Sequence, residues 1–173
     1  MMKSIQKASM LVLAVAIAAP TYGAVCAGST VTILGGSGPD TLHGTSGNDV
    51  IHGAAGNDTI HGNGGNDIIC GGHGNDVLNG NDGDDTINGH PGNDFVYGQL
   101  GTDDLRGDDG ADRLDDQTGV TYEYGGGQDD DLDVHTGQIF GGTGYDTCLY
   151  YWTYHPWGGT IHYGTTAECE EFS

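Results

Sequence analysis

The chain has 173 residues, 34 of them glycine, and its four lysines and arginines stand against 25 aspartates and glutamates, a formal net charge of −21. That balance argues against a protein that grips nucleic acid or an anionic membrane, and makes cations its natural partners. Serine is scarce and no G-x-S-x-G, H-E-x-x-H or nucleotide-phosphate loop occurs, so the chain reads as a binding or structural protein and not as an enzyme.

Residues 1–23 read as a cleaved secretory signal. Lys3 and Lys7 precede an apolar run from Met10 to Ala19, then Pro20 and a small-residue exit at Thr21-Tyr22-Gly23. The run is too short to span a bilayer, and Val25 before Cys26 argues against a lipid anchor, so no membrane insertion is expected. Removing the signal leaves Arg106 and Arg113 as the fixed positive charges. The expected destination is extracellular, with periplasm or cell surface as variants. Residues 24–34 are expected to form an N-terminal cap.

From Gly35 to Asp133 the chain repeats every nine residues for eleven units, approximating G-x-x-G-N-D-x-(apolar)-x. Gly at the first position, Gly at the fourth, Asp at the sixth and an apolar residue at the eighth each hold in ten of eleven units, too regular for chance. G-x-x-G-x-D is a tight turn with inward-facing carbonyls, and x-(apolar)-x is a minimal strand with one side chain in and two out. Nine residues make half a coil and eighteen a full one, so residues eighteen apart stack at about 4.8 Å. The expected fold is an all-β, right-handed parallel β-roll. Leu42, Ile60, Leu78, Val96 and Leu114 form one inward column, and Ile51, Ile69, Ile87 and Leu105 the other. Asp40, Asp58, Asp76, Asp94, Asp112 and Asp130 line one edge; Asp49, Asp67, Asp85 and Asp103 line the opposite edge.

Like charges about 5 Å apart repel, and turns lined with carboxylates and carbonyls suit Ca²⁺, which takes six to eight oxygens in irregular geometry, better than Mg²⁺. The nonapeptide resembles the G-G-x-G-x-D-x-U-x repeat of the RTX, or hemolysin-type calcium-binding, family. The resemblance implies a calcium-loaded β-roll with those ten aspartates as metal ligands. Counting gaps between successive aspartates on each edge gives a ceiling of about eight ions. A further good copy runs from Gly141 to Leu149. Small secreted RTX-like proteins carry a Cys before the first repeat, an I-x-C-G-G inside the roll and a closing D-T-C…C-E, matched here by Cys26, by Ile68 to Gly72 and by Cys148 with Cys169. Three pairings of four cysteines are possible; the resemblance favours Cys26–Cys70 and Cys148–Cys169.

Departures from the pattern cluster late. The second glycine survives only at Gly36, Gly72 and Gly126, which reads as a tolerant turn site. Thr121 replaces the aspartate and Glu123 the inward residue of the tenth unit, Gln128 replaces a glycine in the eleventh, and Gly125 to Gly141 is sixteen residues instead of eighteen. The roll is therefore expected to weaken after Asp115. His43, His52 and His61 fall on outward positions and read as solvated surface, and Asn48, Asn57, Asn66, Asn75 and Asn93 as turn formers. Residues 134–173, a degenerate repeat and an aromatic segment, read as a C-terminal cap, with a glycan or protein partner as the alternative use of the tyrosines and tryptophans.

Overall fold

The computed structural model describes residues 25–118, 121–134 and 137–150. The expected signal, Cys169 and most of the aromatic segment lie outside the described residues. A short antiparallel hairpin of β1 (Val25–Cys26) and β2 (Ser29–Thr30) precedes two seven-stranded parallel sheets. One sheet stacks β3 (Ile33–Leu34), β5 (Val50–Ala55), β7 (Ile68–His73), β9 (Thr86–Asn88), β11 (Asp104–Asp109), β13 (Thr121–Gly127) and β15 (Gly137–Thr143). The other stacks β4 (Thr41–His43), β6 (Thr59–Gly64), β8 (Val77–Asp82), β10 (Phe95–Leu100), β12 (Arg113–Asp116), β14 (Asp131–Val134) and β16 (Thr147–Tyr150). Successive strands alternate between sheets, so the chain winds as a solenoid of about six turns.

The eighteen-residue register is observed directly. Ile51 pairs with Ile69, Ile69 with Ile87, Leu78 with Val96 and Val96 with Leu114. Ile51, Ile60, Ile69, Leu78, Ile87, Val96, Leu105 and Leu114 are all completely buried, while Leu42 packs partly buried against them. The core is thus two facing columns one side chain wide.

Two expectations are corrected. Six strands, β5, β6, β7, β8, β10 and β11, run six residues rather than three, because pairing continues through the first positions of the next unit: Ala54 pairs with Gly72 and Asn63 with Asn81. Glycine there looks like turn from sequence, yet its missing side chain lets neighbouring backbones approach. Past Asp115, where the regular roll is expected to weaken, both sheets continue but in a changed register. Leu132 continues one core column, buried against Leu114 and Cys148, and the two-residue deletion changes the register to sixteen, with Glu123 opposite Ile139 and Leu132 opposite Cys148.

The second repeat position is not a tolerant turn either. Ala54, Asn63, Asn81, His90, Gln99 and Asp108 all occupy it with φ between 70° and 83°, a left-handed conformation that costs an L-residue about 1–2 kcal/mol. The family's glycine avoids that strain; asparagine and aspartate reduce it.

Cys26 is bonded to Cys70. Cys70 pairs with His52 in register, so the bond ties the N-terminal hairpin to β7, and β1 packs against β5 and β7. Cys148 is disulfide-bonded as well.

Gly74 occupies the fourth repeat position at φ 130°, where a Cβ would overlap the carbonyl oxygen of Gly56 one coil earlier. Gly74→Ala is expected to cost about 2 kcal/mol or more. Ala54→Gly relieves left-handed strain against the entropy of an added glycine, and should stabilise by roughly 0.5 kcal/mol. Thermal melts in saturating calcium would show the two substitutions shifting Tm in opposite directions.

Candidate metal centre

Each sixth-position aspartate leaves its turn just before a strand, and its carboxylate folds back over the glycine that opened its own unit. A Cβ on Gly53, Gly71, Gly89 or Gly107 would fall on the carboxylate of Asp58, Asp76, Asp94 or Asp112. Gly62, Gly80 and Gly98 stand in the same relation to Asp67, Asp85 and Asp103. The two locked columns, glycine first and aspartate sixth, are therefore one steric requirement.

The carboxylates link coil to coil. On the first edge the backbone N–H of Asp40 donates to Oδ1 of Asp58, that of Asp58 to Asp76, Asp76 to Asp94 and Asp94 to Asp112, each at 2.8 Å. The N–H of Asp112 continues to Asp130 at 2.9 Å, and that of Asp130 reaches Asp146 at 3.1 Å. On the second edge Asp49 donates to Asp67, Asp67 to Asp85 and Asp85 to Asp103, again at 2.8 Å. All ten aspartates expected from sequence thus stand in the two expected columns. Asp146, in the further copy from Gly141 to Leu149 and sixteen residues from Asp130, is an additional member.

The second oxygens divide the set. Oδ2 of Asp58, Asp67, Asp76, Asp85, Asp94, Asp103, Asp112 and Asp130 is buried and has no hydrogen-bond partner among the described residues. At the N-terminal end, Oδ2 of Asp40 instead accepts from the Gly36 N–H, and Oδ2 of Asp49 from the N–H and hydroxyl of Thr45. A buried, unpaired carboxylate oxygen is costly. Burial pushes Asp76, Asp103 and Asp112 up to about 6, and Asp85, Asp94 and Asp130 up to about 7, against the bond from the preceding coil's N–H, which lowers them. A cation at Oδ2 would remove this cost. Among the described residues no three acidic, imidazole or thiol groups converge as a ligand set, so backbone carbonyls would complete each shell, as they readily do for Ca²⁺.

Four overlapping matches to the RTX calcium-binding nonapeptide repeat cover residues 34–69, 43–78, 71–105 and 79–114, and the solenoid supplies the architecture that those repeats build. Residues 34–114 form an RTX-type β-roll. Calcium is the ion its repeats bind. No curated protein and no solved structure matches the chain.

The other polar columns have structural roles. Oδ1 of Asn48, Asn57, Asn66 and Asn75 accepts the backbone N–H eighteen residues onward, at 3.0–3.2 Å. His43 and His61 stack with ring centroids 5.1 Å apart. Burial lowers the pKa of both His52 and His61, which favours neutral rings.

The raised carboxylates fix the sign of the pH dependence. A folded, metal-free roll holds protons that the unfolded chain has released, so this proton-linked stability is fully present below about pH 4. It disappears as pH rises through 6 to 7. Calcium must displace those protons, and the calcium midpoint should climb as pH is lowered from 8 to 5. A midpoint independent of pH, read by circular dichroism, would contradict the assignment of these carboxylates.

Proposed function

We propose that this RTX-type roll is a secreted protein that folds on binding about eight Ca²⁺ ions through Asp40, Asp49, Asp58, Asp67, Asp76, Asp85, Asp94, Asp103, Asp112 and Asp130, and that it serves a structural, surface- or matrix-associated role. The observation that carries this reading is the set of buried Oδ2 atoms without partners, one in each successive turn from Asp58 to Asp112 and one more at Asp130. Their number agrees with the ceiling counted from the sequence. The Cys26–Cys70 bond fits an oxidising compartment, as an N-terminal secretory signal would require.

Calcium is the folding cofactor in this reading. Extracellular calcium modules bind at about 10⁻⁴–10⁻³ M. At ten times the dissociation constant each site adds about 1.4 kcal/mol, and eight sites about 11, comparable to the whole stability of a domain. In excess chelator at neutral pH the chain should lose most of its β signal, regain it with millimolar Ca²⁺ and regain far less with Mg²⁺. An unchanged spectrum in chelator would refute the coupling of folding to calcium.

The columns also predict unequal sites. Asp76 is central, bonded to Asp58 and Asp94 and wholly buried, whereas the second oxygen of Asp40 is already held by its own turn. Asp76→Ala breaks two interfaces of a stacked array and Asp40→Ala at most one. Calcium titrations should show the larger loss of affinity and cooperativity for Asp76→Ala; equal losses would mean that the sites do not act as a stack.

A second reading, a calcium-dependent glycan- or protein-binding module, draws support from the last coils. Tyr124 stacks on Phe140 at 4.8 Å, the Arg106 guanidinium lies 5.0 Å from the Tyr124 ring, and Tyr122 and Tyr145 are exposed. Aromatic rings beside a charged hydrogen-bond donor suit stacking on sugars. Loss of binding on a glycan array by Tyr124→Ala, with its calcium midpoint unchanged, would favour this role; a wild-type protein silent on the array would leave the structural one.

A further inference from the structure

A groove of about 600 Å³ runs along the outer surface of the roll beside Asp94 and Asp112. Two columns of the repeat form its walls. On one side stand the fifth-position residues Asn75, Asn93 and Ala111; on the other stand the seventh-position residues Phe95 and Arg113, which pair in register. Each fifth-position asparagine reaches to the next coil with its Oδ1, as Asn93 does to the N–H of Ala111 at 3.1 Å. Ala111 breaks that column. It is exposed, has no side-chain acceptor for the coil carrying Asp129, and leaves the space that an amide fills elsewhere.

The groove combines a bare ring with mixed donors and acceptors. Phe95 is 45 % exposed between Val77 and Arg113 in its column. Because the Oδ1 atoms of Asn75 and Asn93 accept backbone N–H groups, the donor end of each amide is fixed as Nδ2, and neither Nδ2 donates to another described residue. Arg113 lies 2.9 Å from Asp131. That pair offers N–H donors and carboxylate acceptors side by side without adding net charge.

We propose that this groove binds a neutral carbohydrate, with one face of a sugar ring stacked on Phe95. Its hydroxyls would bond to the Asn75 and Asn93 amides and to the Arg113–Asp131 pair. A hydroxyl both donates and accepts, so one ligand satisfies amide donors and carboxylate acceptors together. An exposed aromatic ring supplies the apolar platform, and the volume falls within the range of small-molecule sites. An acidic glycan would meet the chain's net charge of −21. A peptide added as a strand needs an open sheet edge, whereas β8, β10 and β12 beneath the groove are each paired on both sides. The inference rests on the glycan-binding reading above and places the site on the sheet opposite Tyr124.

The test screens the calcium-loaded, full-length chain on an array of neutral and uronate-containing oligosaccharides. The strongest neutral hit is then titrated by calorimetry, with circular dichroism of each variant as the folding control. Wild type should bind neutral oligosaccharides, and F95A should weaken that binding about tenfold. A111W, which fills the groove, should abolish it. A111N restores the asparagine column, so it should melt no lower than wild type while binding more weakly, a loss that unfolding does not explain. Y124A should bind as wild type does. A silent array would overturn both this site and the glycan reading. Binding lost in Y124A but kept in F95A and A111W would overturn the groove alone and leave that reading standing. Preference for uronate glycans, or displacement of the bound glycan by oligolysine, would overturn the neutral ligand class. Should A111W fail to fold, F95A and A111N decide.

Discussion

The structure depends on one contact: the carboxylate of each sixth-position aspartate resting where the glycine opening its unit has no Cβ. From that seat one oxygen takes the N–H of the preceding coil and the other faces inward, as Asp76 does between Asp58 and Asp94. Sterics and interstrand bonding therefore converge on a single pair of residues, the pair to which the proposed function also assigns ion binding. The tenth unit supports this from within the chain. When Thr121 replaces the aspartate, the glycine also gives way, to Asp116, as two residues sharing one space must change together.

The rest of the fold is thin. Each nine-residue unit buries one aliphatic side chain, Ile69 or Leu78 for example, while ordering two glycines that are expensive to fix. Apolar burial sets which face of each strand turns inward, and so the register, because a one-residue slip would expose Ile69 and bury a polar neighbour. It contributes too little per coil to fold the chain unaided. In the function proposed above, ion binding at the edges would add stability in proportion to the number of turns, and the free energy of loading would become the free energy of folding.

Much of this was legible in the sequence because the repeat is strict. Period and alternation placed Ile51, Ile69 and Ile87 in one column and the aspartates on two edges, since nothing but an eighteen-residue coil superimposes them. What escaped were features set by backbone approach. Strands such as Val50–Ala55 extend through Gly53 because glycine allows close pairing, although from sequence it signals a turn. The left-handed strain at Ala54 and Gln99 is likewise invisible in residue identity. Asp146 lies in the further copy that the sequence shows, but the two-residue deletion before it left it out of a column counted by eighteen. Asp116 and Glu123 were visible as departures, but only the structure shows that both are buried.

Charge economy also explains the fifth position. Where it is asparagine, its side chain accepts an N–H from the following coil, the reverse of the aspartate ladder beside it, so those turns are held from both directions. Any acceptor oxygen would serve, and Asp84 does accept the N–H of Thr102 at 2.9 Å, as Asp129 accepts that of Tyr145 at 3.0 Å. These two exceptions show why asparagine prevails. The Asp84 carboxylate acts unfavourably on Asp85 and Asp103, and that of Asp129 on Asp130. A full column of aspartates there would set a second line of negative charge against the first, outside the cation's coordination shell. Asparagine gives the same hydrogen bond without the charge, and leaves the negative field to the sixth-position carboxylates proposed to hold the ion.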